Sequence, residues 1–246
     1  MCDHDHMTEL APSPLDPRSR AVVDLLHTRS DDQLSTMSTL DTTLRTQVLD
    51  SLLGGAEAVE TTEAKEWLAD KLVALDADKG RLAYTFCRAL DARQAVEVGT
   101  SFGVSTIYLA AALRDNAAAG GGERRVIGTE IEPAKAKAAL ANLAEAGLAG
   151  FAEVREGDAL HTLQRIDGPV DFLLIDTWIP LALPALKLLK PKLRPGAIVM
   201  CDNVRQFARA YRDYTDFVRN PANGFRSMLW PRQGGVELSV YSDPAT

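Results

Sequence analysis

This sequence predicts an α/β fold, a mostly parallel sheet wound on both faces by helices, and two observations carry that prediction. From Gln94 onward, short β-branched and aliphatic runs alternate with longer stretches of helical character. Alternation at that spacing calls for crossover helices between parallel strands. Two of the runs, Val170-Asp171-Phe172-Leu173-Leu174-Ile175 and Ala197-Ile198-Val199-Met200-Cys201, are apolar nearly throughout, as strands covered on both faces must be.

The strand candidates are 94–99, 125–130, 151–155, 170–175 and 196–201, and helices are expected at 103–114, 133–146, 158–165, 180–190 and 203–218. Ala117 to Gly122 reads as a flexible loop after the first crossover helix. The C-terminal part changes character. Phe225 to Trp230, then Gln233-Gly234-Gly235, then Val236 to Tyr241 reads as a hairpin. Ahead of the alternating region, residues 1–18 carry Pro12, Pro14 and Pro17 and read as a mobile tail. His4 and His6 belong to that polar end rather than to a metal site. Residues 19–77 form a helical extension: Val22, Val23, Leu25 and Leu26 lead in, and Leu40, Leu44, Val48, Leu49 and Leu52 recur near the helical period. Gly54-Gly55 is a helix stop, and Trp67, Leu68, Leu72, Val73 and Leu75 make a further apolar face. A helix over about 79–90 leads into the first strand, so residues 78–246 form the main domain.

With 246 residues, 46% of them apolar, the chain can build one full core plus this appendage. Its net charge of −7 argues against a nucleic-acid partner, which calls for a basic face. Cys2, Cys87 and Cys201 are too few and too scattered for a disulfide framework and fit a reducing cytosol. No apolar run approaches the roughly 20 residues that span a bilayer, and the N-terminus lacks the pattern of a secretory signal. A cytoplasmic protein with no membrane partner is the expectation.

Ligands of open parallel sheets bind beyond the carboxyl ends of the strands. At the end of the first strand stands Glu97-Val98-Gly99-Thr100-Ser101-Phe102-Gly103-Val104-Ser105. Glycine permits a tight turn and the close approach of a ligand. The spacing is Gly-x-x-x-Gly, and Ser101 fills the place of the glycine that makes room for a pyrophosphate in a dinucleotide fingerprint. A ligand without a pyrophosphate suits it better, and an ordinary strand-helix turn is the bland alternative. Glu130 ends the second strand, where a carboxylate can accept both hydroxyls of a ribose. Glu132, beside Pro133, suits the start of a helix. Asp158, after the third strand, can meet an adenine edge or cap the next helix.

Together these residues resemble the class I, Rossmann-like S-adenosylmethionine-dependent methyltransferases, and more narrowly the cation-dependent catechol and caffeoyl-CoA O-methyltransferases. The resemblance covers about residues 78–242. It rests on the Gly99 loop, Glu130-Ile131-Glu132-Pro133, Asp176-Thr177-Trp178 and Cys201-Asp202-Asn203-Val204, with Asp78-Lys79-Gly80 before the leading helix. It implies a seven-stranded sheet whose last strand is antiparallel, and a homodimer. It implies an enzyme that methylates a hydroxyl of a small, aromatic vicinal-diol acceptor. Glu97, Gly99, Ser101, Gly103 and Ser105 belong to the implied cofactor loop, with Glu130 on the ribose. Asp158, Asp176 and Thr177 lie near the adenine and the sulfonium. Asp176, Asp202 and Asn203 match the catalytic positions that hold a divalent cation. Oxygen donors select Mg²⁺, Mn²⁺ or Ca²⁺, although both strand ends could equally be a turn, a cap or a hydroxyl site without metal. Trp178 and Trp230 could wall an aromatic acceptor or serve in core packing. One departure stands out. Catechol-type members carry a general-base lysine shortly after the first metal-ligand aspartate, and Ile179 stands near that place. Lys187 and Lys190 lie too far along the helix, so the metal alone acidifies the hydroxyl, another residue such as Lys79 serves, or the acceptor is not a catechol.

Overall fold

The computed structural model of the chain describes residues 13–53 and 62–242. His4, His6 and the expected stop at Gly54-Gly55 lie outside the described residues. The elements in chain order are α1 (Pro17–Ser35), α2 (Thr42–Leu53), α3 (Thr62–Ala69), α4 (Ala77–Ala89), β1 (Gln94–Val98), α5 (Val104–Gly120), β2 (Arg125–Glu130), α6 (Pro133–Glu145), β3 (Ala152–Glu156), α7 (Ala159–Thr162), β4 (Val170–Ile175), α8 (Ile179–Leu189), β5 (Leu193–Cys201), α9 (Arg212–Arg219), β6 (Phe225–Trp230) and β7 (Val236–Tyr241). The strands form one sheet in the order β3-β2-β1-β4-β5-β7-β6. The first five are parallel, and β7 runs antiparallel to β5 and β6. This is the expected seven-stranded, doubly wound sheet with its terminal hairpin.

Every residue of β4 is buried, because one apolar cluster lies on each face of the sheet. On one face α1, α4 and α5 bury Val23, Cys87, Ile107 and Leu113. On the other, α8 and α9 bury Ala185, Leu186, Leu189 and Val218. The carboxyl ends of the strands are stitched sideways. Thr100 N–H donates to Thr129 O (2.9 Å), Asp176 N–H to Val98 O (3.0 Å), Asp202 N–H to Ile175 O (3.0 Å) and Gly157 N–H to Glu130 O (2.8 Å). Five loops are thereby held in one row above the sheet.

Four elements differ from the sequence expectation. The first crossover helix runs on to Gly120, because Ala117 to Ala119 are strong helix formers and Gly121, at a positive φ of +67° that glycine tolerates, ends it. The fifth strand begins at Leu193, three residues early, across an irregularity in its pairing with β4. The helix expected at 158–165 is only Ala159–Thr162. The helix expected at 203–218 begins only at Arg212. Over 204–211 the chain turns, because Val204 and Gln206 N–H donate to Gly235 O (3.0 Å) and Gly234 O (2.7 Å) instead of to a helical ladder.

The N-terminal helices divide into two groups. From Leu15 onward the chain is anchored: Leu15, Val22, Val23 and Leu26 enter the main core. Arg18 and Ser19 hydrogen-bond the end of α6, and Asp16 pairs with Arg114 at 2.6 Å. Helices α2 and α3 instead share a small cluster of Val48 and Leu68 with Leu40, Leu44 and Trp67. Chain and core rejoin at Leu72, where Ser30 holds the crossing. Its hydroxyl donates to Leu72 O (3.0 Å) and accepts from Ala74 N–H (3.2 Å), while Leu72 N–H reaches Gln33 Oε1 (2.7 Å). Ser30 is buried, so its removal strands two backbone groups. Ser30→Ala should therefore destabilise the protein by about 1–3 kcal/mol, measured as a lower urea midpoint at unchanged slope.

Candidate active site

The loop after β1 is shaped by absent side chains. Gly99 has φ +98°, and a Cβ there would lie 1.9 Å from the Asp176 carbonyl oxygen. Gly128 leaves equivalent room on β2, where a Cβ would meet the Thr100 hydroxyl at 2.2 Å. Beneath the loop lies Glu97, fully buried. It accepts hydrogen bonds from the hydroxyls of Thr100 (2.9 Å) and Thr106, and burial raises its pKa despite those bonds. Ser101 adopts a left-handed conformation (φ +49°), which aims its N–H at Glu130 Oε2 (2.7 Å). Glu132 N–H donates to Oε1 (2.9 Å). Both oxygens of Glu130 are thus fixed by backbone and keep lone pairs for a ligand.

Above these loops opens a cleft of about 430 Å³, lined by residues that include Gly99, Ser101, Glu130, Asp158, Asp176, Thr177, Trp178, Ile179 and Asn203. Its far wall comes from Leu68, Ala69, Lys71 and Val73 of the N-terminal extension. Lys135 fastens that wall: its ammonium donates to Leu68 O at 3.1 Å. Its pKa is lowered by burial against the opposing pull of Glu130 and Glu132.

At one end of the cleft stand Asp176 and Asn203, with Asp202 buried behind them. The buried ammonium of Lys79, from the first turn of α4, lies 2.5 Å from Asp202 Oδ1 and 3.3 Å from Asn203 Oδ1. Burial raises the pKa of both aspartates. For Asp176 the charge of Asp202 adds to the rise and Lys79 opposes it; for Asp202 the Lys79 ammonium is the main opposing influence. Asn203 is left-handed (φ +59°), and the loop of the β6–β7 hairpin fixes it. A Cβ at Gly234 would lie 2.6 Å from Asn203 Oδ1. Among the described residues no three His, Cys, Asp or Glu side chains gather around a possible metal; the third donor here is a carboxamide. Asp202 and Asn203 offer a carboxylate and a carboxamide oxygen to one positive charge, with the Asp176 carboxyl near enough to feel it, and an all-oxygen set of this kind fits a hard cation.

Of the cofactor residues expected from the sequence, Gly99, Ser101, Glu130, Asp158, Asp176 and Thr177 reach the cleft. Glu97, Gly103 and Ser105 do not line it. Glu97 braces the loop from below, and Gly103 packs against α6, where a Cβ would lie 3.3 Å from that of Ala139. Asp158 both lines the cleft and caps α7, accepting from Leu160 N–H at 2.8 Å. Trp178 is on the cleft wall, 38% exposed. Trp230 is not among its lining residues; it packs against the main apolar cluster. Sequence reasoning missed Lys135, whose signal was its position three residues after Glu132 in the first turn of α6. It also missed the wall at 68–73, which nothing in the local pattern marks.

A seven-stranded sheet of this order, with a glycine loop and an acidic strand end facing one cleft, defines a class I methyltransferase. The methyltransferase-domain family matches residues 96–204. A catechol O-methyltransferase of Mycobacterium tuberculosis is 33% identical over 162 residues, 63% of this chain and 69% of the relative. A caffeoyl-CoA O-methyltransferase of Petunia hybrida is 24% identical over 178 residues, 64% and 69% of the two chains. The crystal structure of cofactor-bound Rv0187 from MTB superimposes with a TM-score of 0.63 at 25% identity, covering 87% of this chain and 97% of that one. The chain belongs to the S-adenosylmethionine-dependent O-methyltransferase family of the catechol and caffeoyl-CoA type.

The Gly99 geometry sets a test. Gly99→Ala combines a strained φ with a backbone clash and should cost about 3 kcal/mol or more. Denaturant unfolding reads the loss, and an unchanged midpoint would contradict the close packing of residue 99 on the Asp176 carbonyl.

Proposed function

We propose that the protein transfers the methyl group of S-adenosylmethionine to one hydroxyl of a small, aromatic vicinal-diol acceptor. The observation that carries this reading is the shared cleft. The Glu130 carboxylate, fixed by Ser101 and Glu132 N–H, opens into the same space as Asp176 and Asn203, with Trp178 on the wall. In this reading Glu130 accepts from the ribose hydroxyls. The backbone at Gly99 and Ser101 takes the methionine part, and Asp158 and Thr177 lie along the adenine and sulfonium. Trp178, Ile179 and Leu181 give the acceptor ring an apolar wall. Asp176 and Asn203 orient its hydroxyls, and the reacting hydroxyl donates to the Asp176 carboxylate as its oxygen attacks. The new O–CH₃ bond forms as the S–CH₃ bond breaks, and S-adenosylhomocysteine leaves. Alignment of the two reactants can supply roughly 7–11 kcal/mol of the barrier reduction.

Asp176, Asp202 and Asn203 would hold a divalent cation, Mg²⁺, Mn²⁺ or Ca²⁺. When bound, it supplies Lewis-acid polarisation of the acceptor hydroxyls. Ile179 offers no amine at the position of the family's lysine, so the proton passes to a carboxylate rather than to an amine. A homodimer and a cytoplasmic setting belong to the same reading; among the described residues no helix is long and apolar enough to cross a membrane.

Methyl transfer from S-adenosylmethionine to a panel of vicinal diols, read by mass spectrometry, tests the proposal. Product from an aromatic diol is expected. Asp202→Ala should lower kcat by about 10²-fold or more while cofactor affinity, measured by calorimetry, stays within about threefold. Trp178→Ala should raise KM about tenfold through lost ring contact, and Trp230→Ala should leave KM unchanged. Absence of product from every diol would defeat the acceptor class. Full activity in chelator would remove the cation from it.

A further inference from the structure

The Lys79 ammonium stands on the very oxygens that the proposed cation would use. It contacts Asp202 Oδ1 at 2.5 Å and Asn203 Oδ1 at 3.3 Å, and both Lys79 and Asp202 are at most 4% exposed. A divalent ion on those donors would face a like charge at contact distance, in a place shielded from solvent screening. The two cations therefore exclude one another.

We propose that Lys79 is a tethered competitor for the divalent cation: it holds Asp202 and Asn203 when no metal is bound, and it must swing off for metal to enter. The inference rests on the reading of Asp176, Asp202 and Asn203 as the cation site.

Three features make the side chain, and not the helix, the moving part. Asp76 caps α4, accepting from Asp78 N–H at 2.8 Å. Gly80, beside Lys79, lies flat against the Tyr108 ring, so close that a Cβ there would meet it at 2.5 Å. Helix α4 also lies along α5 in the main core through Ala83 and Cys87. The backbone at Lys79 is thus fixed, so release of the two oxygens falls to rotation of the four-carbon stem. The pairing has a clear purpose in the metal-free protein. Removing the partner of a buried charge leaves it uncompensated, which is strongly destabilising; Lys79 keeps Asp202 and its neighbour Asp176 from standing as an unbalanced pair. The same pairing weakens metal binding, since each ion that enters must first break it. Lys79 is on this account a positioning and affinity-setting residue, not a catalytic one.

The test is calorimetric titration of Mn²⁺ into protein saturated with S-adenosylmethionine, comparing the natural chain with Lys79→Met. The variant should bind Mn²⁺ at least about tenfold more tightly, within the usual range for coupled sites. It should also melt at lower temperature without metal and recover more of its Tm on adding Mn²⁺ than the natural chain does. A second measurement needs no variant: acetylation of the natural chain, mapped by mass spectrometry, with exposed Lys187 as reference. Lys79 should label slowly without metal and several-fold faster with saturating Mn²⁺. Equal or weaker Mn²⁺ binding by Lys79→Met, no Mn²⁺ binding by either protein, or Lys79 labelling indifferent to Mn²⁺ would overturn the inference. None of these readouts uses an acceptor, so failure to methylate any diol would count against the proposed reaction and leave the Mn²⁺ result to stand by itself.

Discussion

The close approach of Gly99 to the Asp176 carbonyl is the constraint on which the site depends. Parallel strands β1 and β4 are neighbours, so the loops that leave them compete for the same space above the sheet. Any side chain at residue 99 would occupy the position of the Asp176 backbone. With none there, the cofactor loop turns away at φ +98° and the chain after β4 rises directly beside it. A ligand lying on one loop is then within reach of groups on the other. Gly128 does the same one strand over, letting the Thr100 hydroxyl drop through to Glu97. Two missing side chains thus bring three strand ends together, and the hydroxyl bonds to Glu97 lock the result from below.

The buried carboxylates around this point are satisfied in different ways, and the difference sorts structure from site. Glu97 is held by the hydroxyls of Thr100 and Thr106, and burial raises its pKa against those bonds. Glu237, fully buried on β7, takes a two-pronged bond from Arg219 at 2.8 and 2.6 Å and ties α9 to the hairpin. Asp171 accepts from Arg93 and Gln94 N–H and from Arg194, at the far end of the sheet. Each of these is held by partners away from the cleft. Asp202 is different: it accepts from Asn203 N–H at 2.8 Å and pairs with the Lys79 ammonium, and one of its flanks, Asn203, faces the cleft. A charge held by a movable partner at a cavity is what a binding site needs and what a structural brace avoids.

Much of this was legible in the sequence because it is local. Hydrophobic run length placed the five parallel strands and the hairpin to within a few residues. The spacing of Gly99, Ser101 and Gly103 and the carboxylate at the end of β2 marked the cofactor side. What stayed hidden depends on partners far along the chain. Residues 203–211 look helical, but two of their N–H groups are claimed by Gly234 and Gly235, an alternative visible only once the hairpin folds back. Lys79 reads as one more charge near a helix start; its contact with Asn203 spans 124 residues. Trp178 and Trp230 look equivalent as sequence, yet one follows a strand that ends at the cleft and the other ends the edge strand β6 and packs into the main cluster. The wall at 68–73 has no local signature because its place is set by Ser30 and Gln33, some 40 residues earlier.

The departure at Ile179 acquires a physical meaning in this setting. Helix α8 begins there with Ile179, Leu181 and, deeper, Ala182, and the first two turn an apolar surface to the cleft beside Trp178. An ammonium at 179 would have placed a positive charge on that wall. Instead the lysine at the acidic end comes from α4, on the other side of the β1–β4 pair, and is already engaged with Asp202. That end of the cleft is therefore polarised: carboxylates and the Lys79 ammonium on the α4 side, hydrocarbon and an indole on the α8 side. A flat molecule with hydroxyls along one edge matches that division. In the proposed reading its polar edge would meet Asp176 and Asn203, and its ring would leave no buried polar group unpaired against Ile179 and Trp178.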